Sequence, residues 1–254
     1  TMYNDLFSIG GFTFHGYGLM IGIGIAAAYL TAEYRAKKAG LEPDHLFYLL
    51  ILGAGGGLIC AKLLYYVTIF DEIRSNPRLL LNISTGFVVY GGIIGGIGAG
   101  FVYCRIKKIS PIRYLDLVVP SIALAQGFGR IGCLLAGCCY GRQTPGPFSI
   151  TFQSSQFAPN GIPLLPTQIV SSVFDFANFL VLLALARKNP PAGRVSACYL
   201  IFYSLGRFVI EFYRGDLIRG SVGSLSTSQF ISLFVALAGF ILLWRSGRNK
   251  NQLS

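Results

Sequence analysis

The sequence predicts an all-α integral membrane protein. About seven transmembrane helices are expected, with the N-terminus outside, the C-terminus cytoplasmic and an outer-face cap around residues 137–167. Three observations predict this. Hydrophobic residues make up 53% of the 254 residues and charged residues only 12%, about half the charge share of a soluble domain. The apolar residues gather in runs of the roughly 20 residues that a spanning helix needs. The basic residues gather in short clusters between those runs.

The spans fall at 14–34, 45–67, 86–104, 114–136, 168–186, 195–213 and 228–245. Residues 1–254 therefore read as a single polytopic domain. Asp44 after Pro43, Ser110 before Pro111 and Ser226 before Thr227 are the helix-start signals. The opening residues carry Asp5 and lack both a basic region and a small-residue cleavage site, so a cleavable signal is not expected. Thr1 ahead of Met2 is expected to be a remnant of expression.

Four basic clusters set the orientation. Arg35, Lys37 and Lys38 follow the first span. Arg105, Lys107, Lys108 and Arg113 lie between the third and fourth. Arg187, Lys188 and Arg194 lie between the fifth and sixth, and Arg245, Arg248 and Lys250 follow the seventh. With seven alternating spans, all thirteen of these residues, of 21 Lys and Arg, lie on one side. The formal net charge of +11 thus reflects membrane orientation, not a nucleic-acid partner. Residues 137–167, rich in Gly, Pro and Ser, form the long outer loop, where short strands or a small cap are expected. No internal repeat of the kind many transporters carry is visible, which argues against a transporter or channel.

Ionisable residues within apolar spans cost about 2.5–3.5 kcal/mol each on insertion scales and so nominate a site. They are His15, Lys62, Asp116, Arg130, Asp175, Arg207, Glu211 and Arg214. Arg207, Glu211 and Arg214 stand at i, i+4 and i+7 and share one helix face, so Arg207 and Glu211 are expected to pair. Arg214 is then expected to be free for an anion such as a phosphate. The alternative is an internally neutralised structural ion pair. Arg130 lies among Gly127, Gly129 and Gly132, which lets neighbouring backbones approach, and has no acidic neighbour in sequence. A ligand anion, or backbone carbonyls, would satisfy it.

A second glycine-dense run is Tyr90-Gly91-Gly92-Ile93-Ile94-Gly95-Gly96. It reads as tight helix packing, as a wall for a lipid headgroup, or both. His15 and Tyr17 open the first span. His45 is read as incidental. Cys133, Cys138 and Cys139 gather at the end of the fourth span, with no zinc-type spacing and no nearby His. They read as a thiol site, as a pair between Cys133 and Cys138 or Cys139, or as small packing residues.

These segments resemble the bacterial prolipoprotein diacylglyceryl transferase family over nearly the whole chain. The resemblance is carried by His15-Gly-Tyr17-Gly-Leu-Met20, Tyr90-Gly-Gly-Ile-Ile-Gly95 and Gly129-Arg130-Ile-Gly132 running on to Tyr140-Gly141-Arg142. Pro166-Thr-Gln168 and Gly206-Arg207-Phe-Val-Ile-Glu211-Phe-Tyr-Arg214 complete it. It implies transfer of a diacylglyceryl group from phosphatidylglycerol, or a similar anionic phospholipid, to the lipobox cysteine thiol of a preprolipoprotein. Glycerol phosphate leaves, and no metal or cofactor takes part. The implied location is the bacterial cytoplasmic (inner) membrane. Arg130 and Arg207 would hold the phosphate and stabilise the leaving group. Tyr90 is the third catalytic candidate. His15, Tyr17, Gly91, Gly92, Gly95, Gln168, Glu211 and Arg214 would bind substrate.

The chain departs from the family pattern at several points. Tyr90 stands where the family has a His proposed as base, and a phenol with an ordinary pKa of about 10 is a poor base at neutral pH. Cys133 replaces Asn, and Gly137-Cys138 replaces Gly-Glu. Thr167-Gln-Ile-Val-Ser171 replaces Ser-Gln-Leu-Tyr-Glu. A usual Arg near the second span is missing, with Lys62 close by. The chain thus resembles a divergent, cysteine-bearing branch. A related transferase that uses the three cysteines on another acceptor is the alternative, and a thiol redox or metal-handling membrane protein a further one.

Overall fold

The computed structural model describes residues 5–9, 12–82, 86–216, 221–223 and 225–250. Thr1 and Met2 lie outside them. The chain is a mainly helical integral membrane protein. A two-stranded antiparallel hairpin, β1 (Asp5–Ile9) and β2 (Phe12–His15), precedes α1 (Gly16–Lys38). This hairpin was not foreseen: the first span was expected from residue 14, which lies in β2, and the helix begins at Gly16. Then follow α2 (Asp44–Thr68), the short α3 (Phe70–Ser75), a 3-10 turn (Pro77–Leu81) and α4 (Val89–Ile106). The chain continues through α5 (Pro111–Ala136), β3 (Ile150–Thr151), β4 (Pro163–Leu164) and α6 (Thr167–Ala186). It ends with α7 (Arg194–Glu211), β5 (Ser221–Val222), β6 (Leu225–Ser226) and α8 (Thr227–Lys250).

Among the described residues, six helices are long and apolar enough to cross a membrane: α1, α2, α4, α5, α6 and α8. Their apolar side chains face outward in quantity; Leu58, Ile94, Ile97 and Trp244 are each more than 60% exposed. Lipid is the medium that accommodates such a surface. The remaining long helix, α7, holds Arg194, Arg207 and Glu211 within 18 residues, which lowers its apolarity below that of the others.

The helix starts follow local chemistry. At α8, the Ser226 hydroxyl accepts from the Gln229 amide while the Gln229 side-chain oxygen accepts from the Ser226 amide, each at 3.1 Å. This is a reciprocal capping box. Asp44 does not cap α2; the cap position is Pro43, without a side-chain bond, and Asp44 sits in the first turn.

The chain forms two compact units, residues 33–114 and residues 1–32 with 115–254. In the first, α2 packs on α4 through glycine. A Cβ built on Gly91 would fall 2.5 Å from the Cys60 carbonyl oxygen, and one on Gly95 would fall 2.4 Å from Cys60 Cβ. His45 is not incidental here: its Nδ1 hydrogen bonds the Tyr103 hydroxyl at 2.7 Å. Lys62 donates to the Asn82 carbonyl at 2.6 Å and lies over the Tyr65 and Tyr66 rings.

The larger unit has a core where α5, α6 and α7 meet: Val119, Ala123, Leu182, Val195 and Tyr199. A satellite core of Phe152, Ala158 and Leu164 lies under residues 137–167, where β3 pairs with β4. Asp116, nominated above as a site residue, does structural work instead. Its carboxylate accepts from the Gly193 amide at 2.6 Å, the Ser196 amide at 2.8 Å and the Ser196 hydroxyl at 2.6 Å. It caps the start of α7 from the side of α5, satisfying amides that have no intrahelical partner.

Candidate functional site

The larger unit gathers most of the nominated polar residues. Arg130 and Arg207 line one pocket together with Ser171, Phe174, Asp175, Tyr203 and Ile210. Arg130 comes from α5, Arg207 from α7, and Ser171 and Asp175 from α6, so three helices must be packed before the two guanidiniums meet. Glycine sets that packing. A Cβ on Gly127 would lie 2.6 Å from the Phe176 ring, and one on Gly206 would lie 2.3 Å from the Phe174 ring.

The two arginines are held differently. Arg130 Nε lies 3.8 Å from Asp175 Oδ2. That separation compensates charge without a hydrogen bond, and Arg130 makes no side-chain hydrogen bond to another described residue. Its donors are unspent. Arg207 Nη2 donates to the Ser228 hydroxyl at 2.8 Å and lies 2.7 Å from Glu211 Oε2. The Arg207–Glu211 pair anticipated from the i, i+4 spacing is therefore present. Its N–H does not aim at the carboxylate, because Glu211 Oε2 is buried without a hydrogen bond. Sequence alone did not disclose Asp175 as Arg130's neighbour or Ser228 as Arg207's, since each pair spans two helices; Tyr203, which also lines the pocket, stands four residues before Arg207 on α7 and was not singled out.

Arg214 departs from expectation. It was expected to be free for an anion. Instead its guanidinium takes both carboxylate oxygens of Asp216, with Nε to Oδ1 at 2.7 Å. The chain turns immediately after α7 and folds Asp216 back onto its neighbour. Arg214 is 6% exposed, and its Nε is also 3.9 Å from Glu211 Oε2. Burial alone would lower its pKa, but the bonds to Asp216 and to the Cys139 sulfur hold it above the ordinary guanidinium value.

Arg214 is tied to the cysteines by a small sheet. Residues 140–144 run between residues 213–215 and 163–165. Arg142 N bonds the Tyr213 carbonyl at 2.9 Å, Gly215 N the Tyr140 carbonyl at 3.0 Å and Gly141 N the Leu165 carbonyl at 2.9 Å. No disulfide joins Cys133, Cys138 and Cys139, and their sulfurs lie within 4.8 Å of one another. The end of α5 explains the gathering. Gly137 has φ +74°, its amide bonds the Leu134 carbonyl, and the Cys138 amide bonds the Cys133 carbonyl at 3.0 Å. This Schellman closure brings the residue after the glycine against the residue one turn back, here Cys138 against Cys133. Cys139 then adopts φ +61°, which places its side chain on the same group.

Two residues at the start of α6 clamp this turn. Thr167 Oγ1 donates to the Cys139 carbonyl and Gln168 Nε2 to the Cys138 carbonyl, each at 2.8 Å. Gln168 is fully buried, and its Oε1 has no partner among the described residues. The neighbouring Cys133 and Cys138 thiols and the Arg214 guanidinium hold the Cys139 thiol well below the ordinary range against burial. Cys138, set beside Cys133 and Cys139, is pushed up.

Tyr17 belongs to the same neighbourhood. Its backbone and ring pack against Gly132, where an added Cβ would fall 3.2 Å from the Tyr17 carbonyl oxygen, and it lies within electrostatic reach of Arg130 and all three cysteines. His15 is exposed at the end of β2. Tyr90, Gly91, Gly92 and Gly95 belong to the smaller unit. There Tyr90 is 45% exposed at the start of α4, Gly91 and Gly95 are buried against α2, and Gly92 faces Gly57 and Ala61.

The family profile described as prolipoprotein diacylglyceryl transferase matches residues 4–245. A phosphatidylglycerol–prolipoprotein diacylglyceryl transferase of Clostridium tetani (strain Massachusetts / E88) is 49% identical over 93% of this chain and 95% of its own length. A second enzyme of that name from Clostridium perfringens (strain 13 / Type A) is 48% identical over 91% of each chain. One from Clostridioides difficile (strain 630) is 33% identical over 98% of this chain and 97% of its own.

Proposed function

This chain belongs to the prolipoprotein diacylglyceryl transferase family, and we propose that it moves the diacylglyceryl group of phosphatidylglycerol, or a similar anionic phospholipid, onto the lipobox cysteine thiol of a preprolipoprotein. The observation that carries the proposal is the pocket lined by both Arg130 and Arg207. Arg130 has donors to offer, and guanidiniums suit phosphate oxygens in number and geometry. As the acceptor sulfur bonds to the glyceryl carbon, that carbon's bond to the phosphate oxygen breaks. The leaving glycerol phosphate gains negative charge. Two fixed cations beside it lower the barrier because they are oriented before the charge forms.

His15, Tyr17, Gln168 and Glu211 are proposed to contact substrate. Arg214, engaged by Asp216 and Cys139, is assigned to holding the site's shape. Tyr90 is proposed to take part through its hydroxyl, so Tyr90→Phe lowers transfer. The chain is proposed to lie in the bacterial inner membrane with seven spans, α7 being the sixth in order, and with the N-terminus outside. The basic clusters support this orientation, and α7 buries Val195, Ser196, Ala197 and Tyr199 while exposing Leu205 and Val209, as a helix with one face to protein and one to lipid does.

The deciding experiment uses the purified chain in nanodiscs containing phosphatidylglycerol, with a lipobox peptide followed by mass spectrometry. The peptide gains a diacylglyceryl mass in the wild type, and Arg130→Ala reduces the rate by about 10²–10³, the scale for loss of one preorganised donor. Normal turnover by Arg130→Ala would overturn the proposal. Orientation is read separately. A membrane-impermeant maleimide on intact cells labels Phe148→Cys above the unsubstituted chain and labels Lys188→Cys no more than that chain.

A further inference from the structure

We propose that Cys133, Cys138 and Cys139 form a three-sulfur site for zinc or a similar thiophilic d10 cation, with the fourth coordination position open to the acceptor thiol. The proposal deepens the transferase reading and rests on it for the identity of that thiol. Metal was not expected from the family resemblance; it follows from these three side chains.

The geometry is the first support. The three sulfurs lie within 4.8 Å of one another. A zinc–sulfur bond of about 2.3 Å in tetrahedral coordination sets sulfurs about 3.8 Å apart, so rotation of the cysteine side chains suffices to close on an ion. Among the described residues no further His, Cys or carboxylate atom lies within that span of all three. Three protein ligands with a vacant fourth position are the pattern of a reactive site; structural zinc sites are closed by four.

The backbone is the second support. The Schellman turn at Gly137 and the left-handed Cys139 hold the sulfurs together. Small packing residues do not require a non-glycine residue at positive φ, and such conformations gather at functional sites. Thr167 and Gln168 fix the two carbonyls of the turn, as outer partners do around metal ligands.

The chemistry then follows. An acceptor thiol entering the fourth position loses its proton to solvent on coordination, since a metal-bound thiol is deprotonated. Its sulfur forms the bond to the glyceryl carbon, the carbon–oxygen bond to phosphate breaks, and the electron pair leaves with glycerol phosphate. The resulting thioether is a weaker ligand and departs. Arg130 and Cys133 stand at i and i+3 on α5, so the phosphate-binding cation shares a helix face with one of the three sulfurs.

The test uses the full chain purified in detergent with a non-chelating tag. Elemental analysis is expected to find stoichiometric zinc in the wild type and background zinc in the Cys138→Ser/Cys139→Ser variant. Cobalt exchanged into the wild type is expected to give a sulfur-to-metal charge-transfer band, and its visible bands shift when lipobox peptide is added. Removing metal from the wild type with a chelator is expected to lower transfer at least tenfold, with recovery on adding zinc. That arm needs no variant to fold. Background metal in a wild type that still transfers overturns the inference and leaves the transferase reading standing. So does transfer indifferent to removal of bound zinc, or a disulfide among the three cysteines in an active preparation. Zinc and a peptide-induced cobalt shift without transfer from phosphatidylglycerol would sink the transferase reading and keep the metal site.

Discussion

Where α2 meets α4, Gly91 and Gly95 admit no Cβ at all. Along α6 the buried residues are instead Thr167, Gln168, Ser171, Ser172, Asp175, Asn178 and Leu182. Both are ways of packing helices where lipid tails are as apolar as the helix surface and burial supplies little drive. Glycine brings backbones close enough for dispersion. Polar side chains carry a desolvation cost that only hydrogen bonds or a ligand offset. Among the described residues, every buried side-chain polar atom without a partner belongs to the larger unit, on Ser121, Gln168, Asn178, Arg194 and Glu211. The smaller unit is built for packing. The larger one keeps polar capacity in reserve.

The largest expected effect tests the larger unit. Arg130→Ala removes a guanidinium whose nearest acidic atom is 3.8 Å away, so transfer falls by about 10²–10³ while the thermal midpoint in detergent barely moves. Arg207→Ala also strands Glu211, whose Oε2 is buried. It lowers both transfer and the midpoint. If Arg130→Ala instead unfolds the protein with turnover per folded molecule intact, polar capacity in this unit serves stability, and the contrast between units fails.

Next comes the packing unit. Gly95→Leu puts a side chain where even a Cβ would lie 2.4 Å from Cys60 Cβ. Overpacking costs about 1–3 kcal/mol, or more where backbone must shift. The midpoint drops accordingly. Gly98→Leu in the same helix, where a Cβ meets nothing within 4 Å, is the matched control and leaves it unchanged. Equal effects at both positions would mean that glycine acts through backbone flexibility and not through close approach.

A smaller loss is expected at Asp116. Asp116→Ala leaves the Gly193 and Ser196 amides without their acceptor, at about 1–3 kcal/mol. Asp116→Asn keeps an acceptor oxygen and recovers part of that. Hydrogen exchange at 193–197 rises in the alanine variant. Transfer by the folded fraction is unchanged, which separates this half-buried carboxylate from Asp175 at the pocket.

Asp116 also marks where the sequence stops being legible. Apolar run length fixed the long helices to within a few residues, because a helix that satisfies its own backbone is the form an isolated apolar run takes in lipid. The Arg207–Glu211 pair was legible because i, i+4 spacing brings two side chains together without tertiary structure. Arg130 was legible as a buried charge, but Asp175 as its neighbour was not, since they share no helix. The same holds for Asp116 with Gly193 and Ser196, which are 77 and 80 residues away. Arg214 was misjudged because a turn, not a helix, carries Asp216 back to it. The three cysteines were visible as a cluster in sequence, while the turn that joins their sulfurs needed the φ of Gly137 and Cys139.

The smallest effect links a cap to the pocket. Ser226→Ala removes the hydroxyl that accepts from the Gln229 amide, a loss of about 1 kcal/mol for a cap of this kind. Gln229 also reaches the Phe208 carbonyl at 3.5 Å, and Ser228 accepts from Arg207. Loosening the first turn of α8 therefore loosens the hydroxyl that orients Arg207. A slight drop in midpoint is expected, with faster hydrogen exchange at 228–230 and transfer reduced a few-fold. Ser226→Asp retains a capping oxygen and restores both. Faster exchange without a fall in transfer would show that Glu211 alone holds Arg207, and the pocket's order would then come from within α7.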